Sequence, residues 1–567
     1  MAPRIGVYIC HCGVNIAATV DVEAVTRFAQ GLASVAVARD YTYICSDPGQ
    51  ALIKEDIKKL GLTKVVVASC SPRMHEPTFR GTIQEAGLNP YCLEMANIRE
   101  QCSWVHGEKE EATRKAMQLV EAAVEKAFLL EPLEERRATV TSAALVIGGG
   151  VAGMQGALDI AKAGFQVYLV EKEPRLGGHL AQLDKTFPTL EPVAPLLTEE
   201  IKEVEGHPNI DLLPSTEVVG VEGYIGNFTV KVAHRTTNLI RALEVGTIIV
   251  ATGYDLFDAR LKPEYGYGLY ENVITGWEFE RLLSSSPPGE GKIWLNGKEP
   301  QDVLFIQCVG SRDKSVGQEY CSRICCMYTA KQALLVKEML PQARVTVLYM
   351  DVRAYGKGFE EFYDQVRGEG VIYRRGNPSE IYKKGERLIV RAEDTLLGEP
   401  VQLEADLVVL ATGITPRRDS LKIANLFKIP RSTDGFFMEA HPKLRPVDTV
   451  TEGIYLAGCC QGPKDIPDTV AQAKAAAASA MIPLCQGQVK VEAVTSIIDE
   501  ELCSGCGICA EVCVYDALSL NERKGVMTIN EVLCKGCGAC AAACPSKAIK
   551  LSHFTPAQIL AQVDALV

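Results

Sequence analysis

The sequence lacks the features that would place the protein in a membrane, in an export pathway or on nucleic acid. No apolar run reaches the roughly 18 residues that a membrane span requires. The N-terminus enters a strand at once, without the layout of a signal peptide. No basic run stands out and the formal net charge is −12, which disfavours nucleic acid and anionic membranes as partners. A cytoplasmic protein without a membrane span is therefore expected.

Cysteine is unusually abundant. The 567 residues include 21 cysteines, and most of them fall into tight groups. In a chain without a signal layout, such grouping favours metal sites over disulfides. The length allows three or four domains with their own cores.

A glycine turn organises the middle of the chain. Residues 145–157 read as an apolar strand, a turn and a helix, in which Gly148, Gly150 and Gly153 have the spacing G-x-G-x-x-G. The first glycine allows the tight turn, the second lets a pyrophosphate approach, and the third lets helix and strand pack closely. The helix N-terminus offers free N–H groups to the phosphate. A second strand ends about twenty residues later at Glu171, where a ribose hydroxyl needs an acceptor.

Further motifs extend this dinucleotide site. The loop 172–179 contains paired glycines, and a strand ending in Ala-Thr-Gly at 251–253 has a counterpart at 411–413. These motifs resemble the two-domain thioredoxin reductase group over residues 141–485, a resemblance that implies a flavin. The expected cofactor-binding residues are Gly148, Gly150, Val151, Ala152, Gly153, Glu171, Lys172, Gly177, Gly178, His179, Ala251, Thr252, Gly253, Gly458 and Asp465. A structural role is the alternative for His179.

The second nucleotide domain departs from that group. A strand over 302–308 should lead into another glycine turn, but it leads into cysteines spaced C-x12-C-x3-C-C. We interpret this as a lost nicotinamide site replaced by a 4Fe–4S cluster, and a redox dithiol of Cys325 and Cys326 is the alternative. The proposed ligands are Cys308, Cys321, Cys325 and Cys326.

The N-terminal region carries a weaker cysteine set. Strands predicted at 4–9, 41–44 and 64–68 are each followed by cysteine. Because the carboxyl ends of parallel strands share one edge of a sheet, the thiols of Cys10, Cys12, Cys45 and Cys70 are expected to converge there. They are a candidate iron–sulfur site, and the alternative is four small buried hydrophobic residues. Cys92 and Cys102 are expected in the core or near the site.

The C-terminal module has the most specific pattern. The spacing C-x2-C-x2-C-x3-C occurs twice, as in bacterial two-cluster ferredoxins, where the fourth cysteine of each run ligates the other cluster. One cluster is expected on Cys503, Cys506, Cys509 and Cys544. The other is expected on Cys534, Cys537, Cys540 and Cys513.

Taken in order, these motifs strongly resemble the A subunit of heterodisulfide reductase and its homologues in anaerobes. The segments 9–13, 45–49 and 68–77 look like that family's N-terminal signatures. The resemblance implies FAD, several 4Fe–4S clusters and work inside a larger complex with electron donor and acceptor proteins. Some members bifurcate electron pairs at the flavin. No ferredoxin-like run lies between residues 180 and 300, which leaves open whether bifurcation applies here.

The fold class expected is α/β. The predicted domains are an N-terminal α/β domain (1–137), a first FAD-binding part (138–300), a degenerate nicotinamide-like region with the cysteine cluster (301–412), a second FAD-binding part (413–490) and an α+β two-cluster ferredoxin domain (491–567). The function expected is electron transfer between flavin and clusters, with no catalytic side chain and with a homodimer inside the assembly. The competing hypotheses are an autonomous NAD(P)H-dependent ferredoxin or disulfide reductase and a docking scaffold.

Overall fold

The computed structural model describes residues 3–285 and 298–567. The chain forms two compact units, one made of Met1–Ala138 with Lys490–Val567 and the other of Thr139–Val489. Residues 286–297, which belong to the predicted first FAD-binding part, lie outside the described residues. The five predicted domain boundaries stay a prediction.

The first unit begins with a parallel four-stranded sheet. Its strands, in spatial order, are Val35–Tyr41, Ile5–Cys10, Lys64–Ser69 and Leu93–Asn97. The two central strands are wholly buried, as their unbroken apolar runs predict. The helices are Val22–Gln30, Asp47–Leu60, Pro72–Glu85 and Lys109–Phe128, with a π-helical turn at Arg99–Ser103.

One predicted strand of this sheet was wrong. The strand expected at 41–44 lies at Val35–Tyr41, and residues 42–46 form turns before the helix Asp47–Leu60. The strand is at the sheet edge and only half buried, so its mixed sequence hides it from a search for apolar runs. Cys45 therefore sits in a turn and not at a strand end.

The C-terminal module of the first unit is built of two antiparallel strand pairs. Ser496–Ile498 pairs with Ile549–Leu551, and Leu518–Asn521 pairs with Val526–Ile529. Its helices are Ile508–Glu511, Ala539–Ala543 and Pro556–Asp564. The last helix packs against the helix Lys109–Phe128, and Gln558 donates from Nε2 to the carbonyl of Leu129 at 3.0 Å. The N-terminal sheet domain and this module thus share one compact unit.

The second unit contains two parallel five-stranded sheets. The first has the order Ile454–Leu456, Thr247–Val250, Ala143–Ile147, Gln166–Val170 and Ile210–Leu213. The second has the order Val273–Thr275, Leu407–Thr412, Asp302–Val309, Arg344–Tyr349 and Ile372–Arg375.

Each sheet has an antiparallel three-stranded companion. One consists of Thr216–Tyr224, Asn227–His234 and Ile240–Val245, and the other of Pro378–Lys384, Arg387–Asp394 and Glu399–Ala405. A short pair, Asp255–Leu256 with Ile414–Thr415, connects the two halves of this unit. Two further strands are Arg136–Thr139 and Gln488–Val491.

The helices of the second unit follow the strands as the sequence predicts. They are Val151–Lys162, Val193–Gly206, Gly276–Ser285, Cys325–Met339, Phe359–Gly368, Ser420–Phe427 and Ile466–Gln486. Short 3-10 turns occur at Leu180–Gln182, Ala259–Leu261, Pro263–Tyr265, Lys314–Val316 and Gly458–Cys460. None of the helices within the described residues is long and apolar enough to cross a membrane.

Candidate flavin and iron–sulfur sites

A cavity of about 660 Å³ opens at the carboxyl ends of the first sheet of the second unit. It brings together most of the residues predicted to bind a cofactor. The predicted residues that line it are Gly148, Gly150, Val151, Ala152, Glu171, Lys172, Gly177, Gly178, His179, Ala251, Thr252, Gly253 and Asp465. Two predicted residues, Gly153 and Gly458, do not line it.

The glycine turn is shaped as the dinucleotide motif requires. Gly148 has a φ of +108°, and a Cβ there would come within 2.3 Å of the carbonyl oxygen of Ala251. A Cβ on Gly153 would come within 1.7 Å of the carbonyl oxygen of Gly148. Around Gly150, by contrast, no heavy atom lies within 4 Å of such a Cβ. The turn therefore packs tightly behind the cavity and leaves open space at the helix N-terminus, which fits a pyrophosphate.

Glu171 is a buried carboxylate that contacts the glycine turn at residues 148–153. Its Oε2 accepts a hydrogen bond from the backbone N–H of Gly149 at 2.6 Å, and its Oε1 accepts one from Glu173 at 2.7 Å. Two backbone amides thus fix the side chain against the cavity wall. Each carboxylate oxygen retains acceptor capacity, so the predicted contact with a ribose hydroxyl is sterically and chemically compatible with this position.

His179 carries a polar atom that the protein leaves without a partner. Its Nε2 lies 3.0 Å from the carbonyl oxygen of Tyr254, which can only accept, so this nitrogen holds the proton. The ring stacks on Tyr254 with 4.2 Å between centroids, and burial lowers the pKa of His179. Nδ1 is buried and has no hydrogen-bond partner among the residues that the structure describes. An acceptor of this kind on the wall of the cavity fits a polar ligand with a donor group.

A buried ion pair on the same wall was missed by the sequence reading. Lys331 and Glu280 are 2% and 1% exposed as side chains, and Nζ lies 2.5 Å from Oε1. The ammonium also donates to the carbonyl of Lys185 at 2.8 Å, and Gln332 donates to Oε2 of Glu280 at 2.9 Å. A lysine within the apolar stretch of a buried helix was the signal that could have identified this pair.

Lys464 is a second buried lysine on the cavity wall. Its ammonium donates to the carbonyls of Gly458 and Gly462 and to the side chain of Gln461, at 2.8–3.0 Å. Burial lowers its pKa. The lysine orders the loop that precedes the helix Ile466–Gln486, whose N-cap is Asp465.

The middle cysteines converge at the N-terminus of the helix Cys325–Met339. Cys308, one residue before the end of the strand Asp302–Val309, has a φ of +59°, which is uncommon outside glycine and lies at a bulge in the pairing with Leu407–Thr412. The thiols of the group lie close enough to affect one another electrostatically. Burial first, and then the neighbouring sulfur atoms, raise the pKa values of Cys308, Cys325 and Cys326, and Cys321 is one of those neighbours. Burial raises the pKa of Cys308 to about 12. A set of four such thiols has the donor chemistry of a 4Fe–4S site.

The N-terminal cysteines also meet at one sheet edge. Cys10 ends a strand, Cys12 follows with a φ of +50°, and Cys70 comes directly after the strand Lys64–Ser69. Burial raises the pKa values of Cys10, Cys45 and Cys70, and the nearby sulfur of Cys12 also raises each of them. Cys45 therefore lies near the group even though it is in a turn. Arg99 donates from Nη1 to Sγ of Cys12 at 3.2 Å.

The two remaining N-terminal cysteines lie apart from this group. Cys102 is fully buried in the hydrophobic core, where its thiol donates to the carbonyl of Ala112 at 3.0 Å. Cys92 is buried beside the ammonium of Lys64, 3.4 Å from its sulfur. Both placements agree with the core role that the sequence suggests.

In the C-terminal module the fourth cysteine of the first run sits with the second run. One small cavity is lined by Cys513 together with Cys534, Cys537 and Cys540, which is the crossed set expected from the spacing. The turns depend on glycine, since a Cβ on Gly505 or Gly536 would lie 2.2–2.3 Å from a backbone oxygen. Of the other set, Cys503, Cys509 and Cys544 pack in one hydrophobic core together with Cys513 and Cys540, and Cys506 is exposed.

Among the residues that the structure describes, no group of three or more His, Cys, Asp or Glu side chains is arranged to hold a metal ion. The ligand sets therefore rest on cysteine spacing and shared placement. All sixteen proposed ligands, like the flavin-binding residues, stay predictions residue by residue.

Comparison with known proteins identifies both cofactor modules. Residues 142–277 match the family described as pyridine nucleotide-disulphide oxidoreductase, and residues 502–548 match the 4Fe-4S dicluster domain. The chain is 49% identical to an iron-sulfur A subunit of CoB–CoM heterodisulfide reductase from Methanopyrus kandleri, over 92% of each chain. It is 48% identical to the A subunit of the H(2):CoB-CoM heterodisulfide,ferredoxin reductase of Methanothermobacter thermautotrophicus, over 99% of this chain and 97% of that one.

Among solved structures, thioredoxin reductase of T. acidophilum covers 60% of this chain and 98% of its own, with 17% identity and a TM-score of 0.41. The family matches and the curated relatives confirm the predicted α/β flavoprotein fold followed by a ferredoxin module. They also confirm the oxidoreductase class and the two cofactor classes, FAD and 4Fe–4S clusters. The cytoplasmic location and the homodimer stay predictions.

Proposed function

The chain belongs to the family of heterodisulfide reductase A subunits, and from this premise we propose that it passes electrons between one FAD and a series of 4Fe–4S clusters inside a larger reductase complex. One observation carries the proposal. The helix Cys325–Met339 begins with two of the clustered cysteines, and the same helix contributes Tyr328, Lys331 and Gln332 to the wall of the 660 Å³ cavity. A flavin in the cavity and a cluster at the helix start would therefore share one element.

The residues of this chain have distinct parts in the proposal. The glycine turn and the helix Val151–Lys162 take the pyrophosphate, and Glu171 takes a ribose hydroxyl. His179 accepts a hydrogen bond through Nδ1, and the Lys331–Glu280 pair fixes the wall of the cavity. When bound, FAD supplies the exchange between two-electron and one-electron chemistry, while the protein supplies orientation and electrostatics. No side chain acts as a nucleophile.

Partner subunits complete the proposed function. The name of the Methanothermobacter relative includes a heterodisulfide and a ferredoxin. We propose that this chain likewise serves acceptors bound by other subunits, and that delivery to two of them by bifurcation is the finer form of its activity. Reduction of a disulfide by this chain alone is disfavoured, because its sequence has no separate catalytic metal motif for that step.

An autonomous NAD(P)H-dependent reductase is the competing function. It requires a nicotinamide nucleotide at the end of the strand Asp302–Val309, where the glycine turn of the first sheet has its counterpart. There, a Cβ on Gly310 would lie 2.0 Å from the ring of Phe257, so the ring fills the space beside the turn. The sequence at this position has no G-x-G-x-x-G turn and carries the clustered cysteines instead, which supports the cluster proposal over direct nicotinamide binding. The expected result is that NAD(P)H transfers no hydride to the purified flavoprotein.

The test of the proposal is a count of iron, acid-labile sulfide and flavin in the anaerobically purified chain. Four sites of four irons give about 16 Fe and one FAD per chain. Substitution of Cys12 or Cys325 by serine should each remove about four Fe. The matched control is Cys92→Ser, which changes a buried cysteine outside every proposed set and should leave about 16 Fe.

Two outcomes would contradict parts of the proposal. About 12 Fe in the unmodified chain would remove one site, and the serine variant that loses no further iron would identify it. About 8 Fe with full flavin would leave only the ferredoxin module with clusters. The region of Cys325 and Cys326 would then have to be a thiol site.

A further inference from the structure

Tyr328 stands between the flavin cavity and the middle cysteine group. It lies one turn after Cys325 on the helix Cys325–Met339, and it lines the cavity. Its ring is held by close packing, because a Cβ on Gly276 would come within 2.9 Å of Cε2. Residues three apart on a helix share a face, so the side chain reaches back toward Cys325.

The hydroxyl of Tyr328 and the thiol of Cys325 converge on the same acceptor. The hydroxyl donates to the carbonyl oxygen of Thr412 at 2.9 Å, and Sγ of Cys325 lies 3.9 Å from that oxygen. A tyrosine hydroxyl is protonated at neutral pH, so it can donate a hydrogen bond. The protonated hydroxyl lies beside the sulfur and can donate a hydrogen bond to it.

Deprotonation of Cys325 changes which hydrogen bonds are available. As a thiol, Cys325 donates toward the same carbonyl oxygen of Thr412 that accepts from Tyr328. A cysteine that ligates a cluster is a thiolate, which only accepts. A buried charged acceptor without a hydrogen-bond donor is costly. The hydroxyl of Tyr328 is close enough to donate to the buried thiolate of Cys325.

We propose that Tyr328 is a positioning residue that hydrogen-bonds to the sulfur of Cys325 and thereby sets the reduction potential of the cluster next to the flavin cavity. The proposal rests on the proposed function, since it requires a cluster on the middle cysteines. A hydrogen bond to a ligating sulfur stabilises the more negative, reduced cluster and makes its potential less negative. Tyr328 contacts both that ligand and the cavity, so the same side chain links the two cofactor sites.

The experiment is an anaerobic redox titration of the full-length holoprotein, followed by electron paramagnetic resonance. The signal that disappears in Cys321→Ser identifies the middle cluster. Tyr328→Phe keeps the ring and removes only the hydroxyl, and its midpoint potential for this signal should become more negative. The matched control is Tyr320→Phe, which removes a hydroxyl that donates to the carbonyl of Ile414 at 3.0 Å and lines no part of the cavity.

The outcomes separate this inference from the function beneath it. If the unmodified protein shows no signal that is lost in Cys321→Ser, the middle cluster and the proposed function at this site fail. If the signal is present but Tyr328→Phe leaves its potential unchanged, or Tyr320→Phe shifts it as much, only the role of Tyr328 is refuted. A more negative potential in Tyr328→Phe alone supports the inference.

Discussion

Replacement of Lys331 by methionine should be among the most damaging single changes in the second unit. The substitution keeps most of the side-chain volume and removes the ammonium that pairs with the buried carboxylate of Glu280. Removal of one partner from a buried ion pair costs about 3–5 kcal/mol. Because Glu280 retains hydrogen bonds from the backbone N–H of Asp184 at 3.0 Å and from Gln332 at 2.9 Å, we expect a value near the lower end, about 3 kcal/mol.

The double variant Lys331→Met with Glu280→Gln tests whether charge is the cause. It removes both charges and keeps Oε1 as the acceptor for Asp184, while the new amide loses the hydrogen bond that Gln332 donates to Oε2 of Glu280. We expect the double variant to lose only about 1–2 kcal/mol, because a neutral pair avoids the cost of burying an isolated charge.

The assay is urea unfolding of the flavin-loaded protein, followed by flavin fluorescence. A loss of about 3 kcal/mol corresponds to a rise of roughly 150-fold in the unfolded fraction. Lys337→Met on the same helix is the control, since the ammonium of Lys337 contacts only backbone carbonyls and its loss should cost about 0.5 kcal/mol. The reasoning is refuted if the double variant is as unstable as Lys331→Met.

Three other predictions concern packing, pH and the C-terminal helix. Gly153→Ala should abolish flavin retention, because the new Cβ would lie 1.7 Å from the carbonyl oxygen of Gly148. Gly156→Ala on the same helix is the control, since its Cβ would meet nothing closer than 3.7 Å and should be tolerated. The flavin content after purification distinguishes the two variants. Burial lowers the pKa of His179 in the folded protein. Below about pH 6.5 the unfolded state therefore binds more protons, and the free energy of unfolding falls as the pH falls, by at most ~1.4 kcal/mol per pH unit. In His179→Gln the melting temperature should depend less on pH between about pH 5 and 7. Gln558→Ala should cost about 1–2 kcal/mol in urea, since it leaves the carbonyl of Leu129 and the N–H of Thr555 without their partners, and an unchanged midpoint would contradict that count.

Local motifs with strict backbone demands were predictable from the sequence. The glycine turn at 148–153 and the turns of the ferredoxin module require φ values or close approaches that few sequences allow, so their spacing specifies their geometry. The crossed position of Cys513 follows from the same kind of rule. In these places the sequence pattern specifies the backbone turn, although contacts such as that of Gly148 with Ala251 come from distant parts of the chain.

Long-range partners and half-buried strands were not predictable. Lys331 and Glu280 are 51 residues apart, and their pairing depends on how the helices Gly276–Ser285 and Cys325–Met339 pack. The edge strand Val35–Tyr41 contains the charged residues Arg39 and Asp40, so its sequence lacks the apolar run that reveals a central strand. In both places tertiary packing decides the outcome.

The two sheets of the second unit have the same layout, and this symmetry explains where the middle cysteines lie. In each sheet the central strand is followed by a helix, with corresponding neighbours on both sides. After Ala143–Ile147 the connection is the tight glycine turn, and after Asp302–Val309 it is a longer loop that carries cysteines into the helix Cys325–Met339. The carboxyl end of a central parallel strand is where such sheets bind ligands. The two sheets thus offer two equivalent positions, one at the carboxyl end of each central strand. The glycine turn occupies the first, and the longer loop after Asp302–Val309 places the candidate cluster site at the second, beside the flavin cavity.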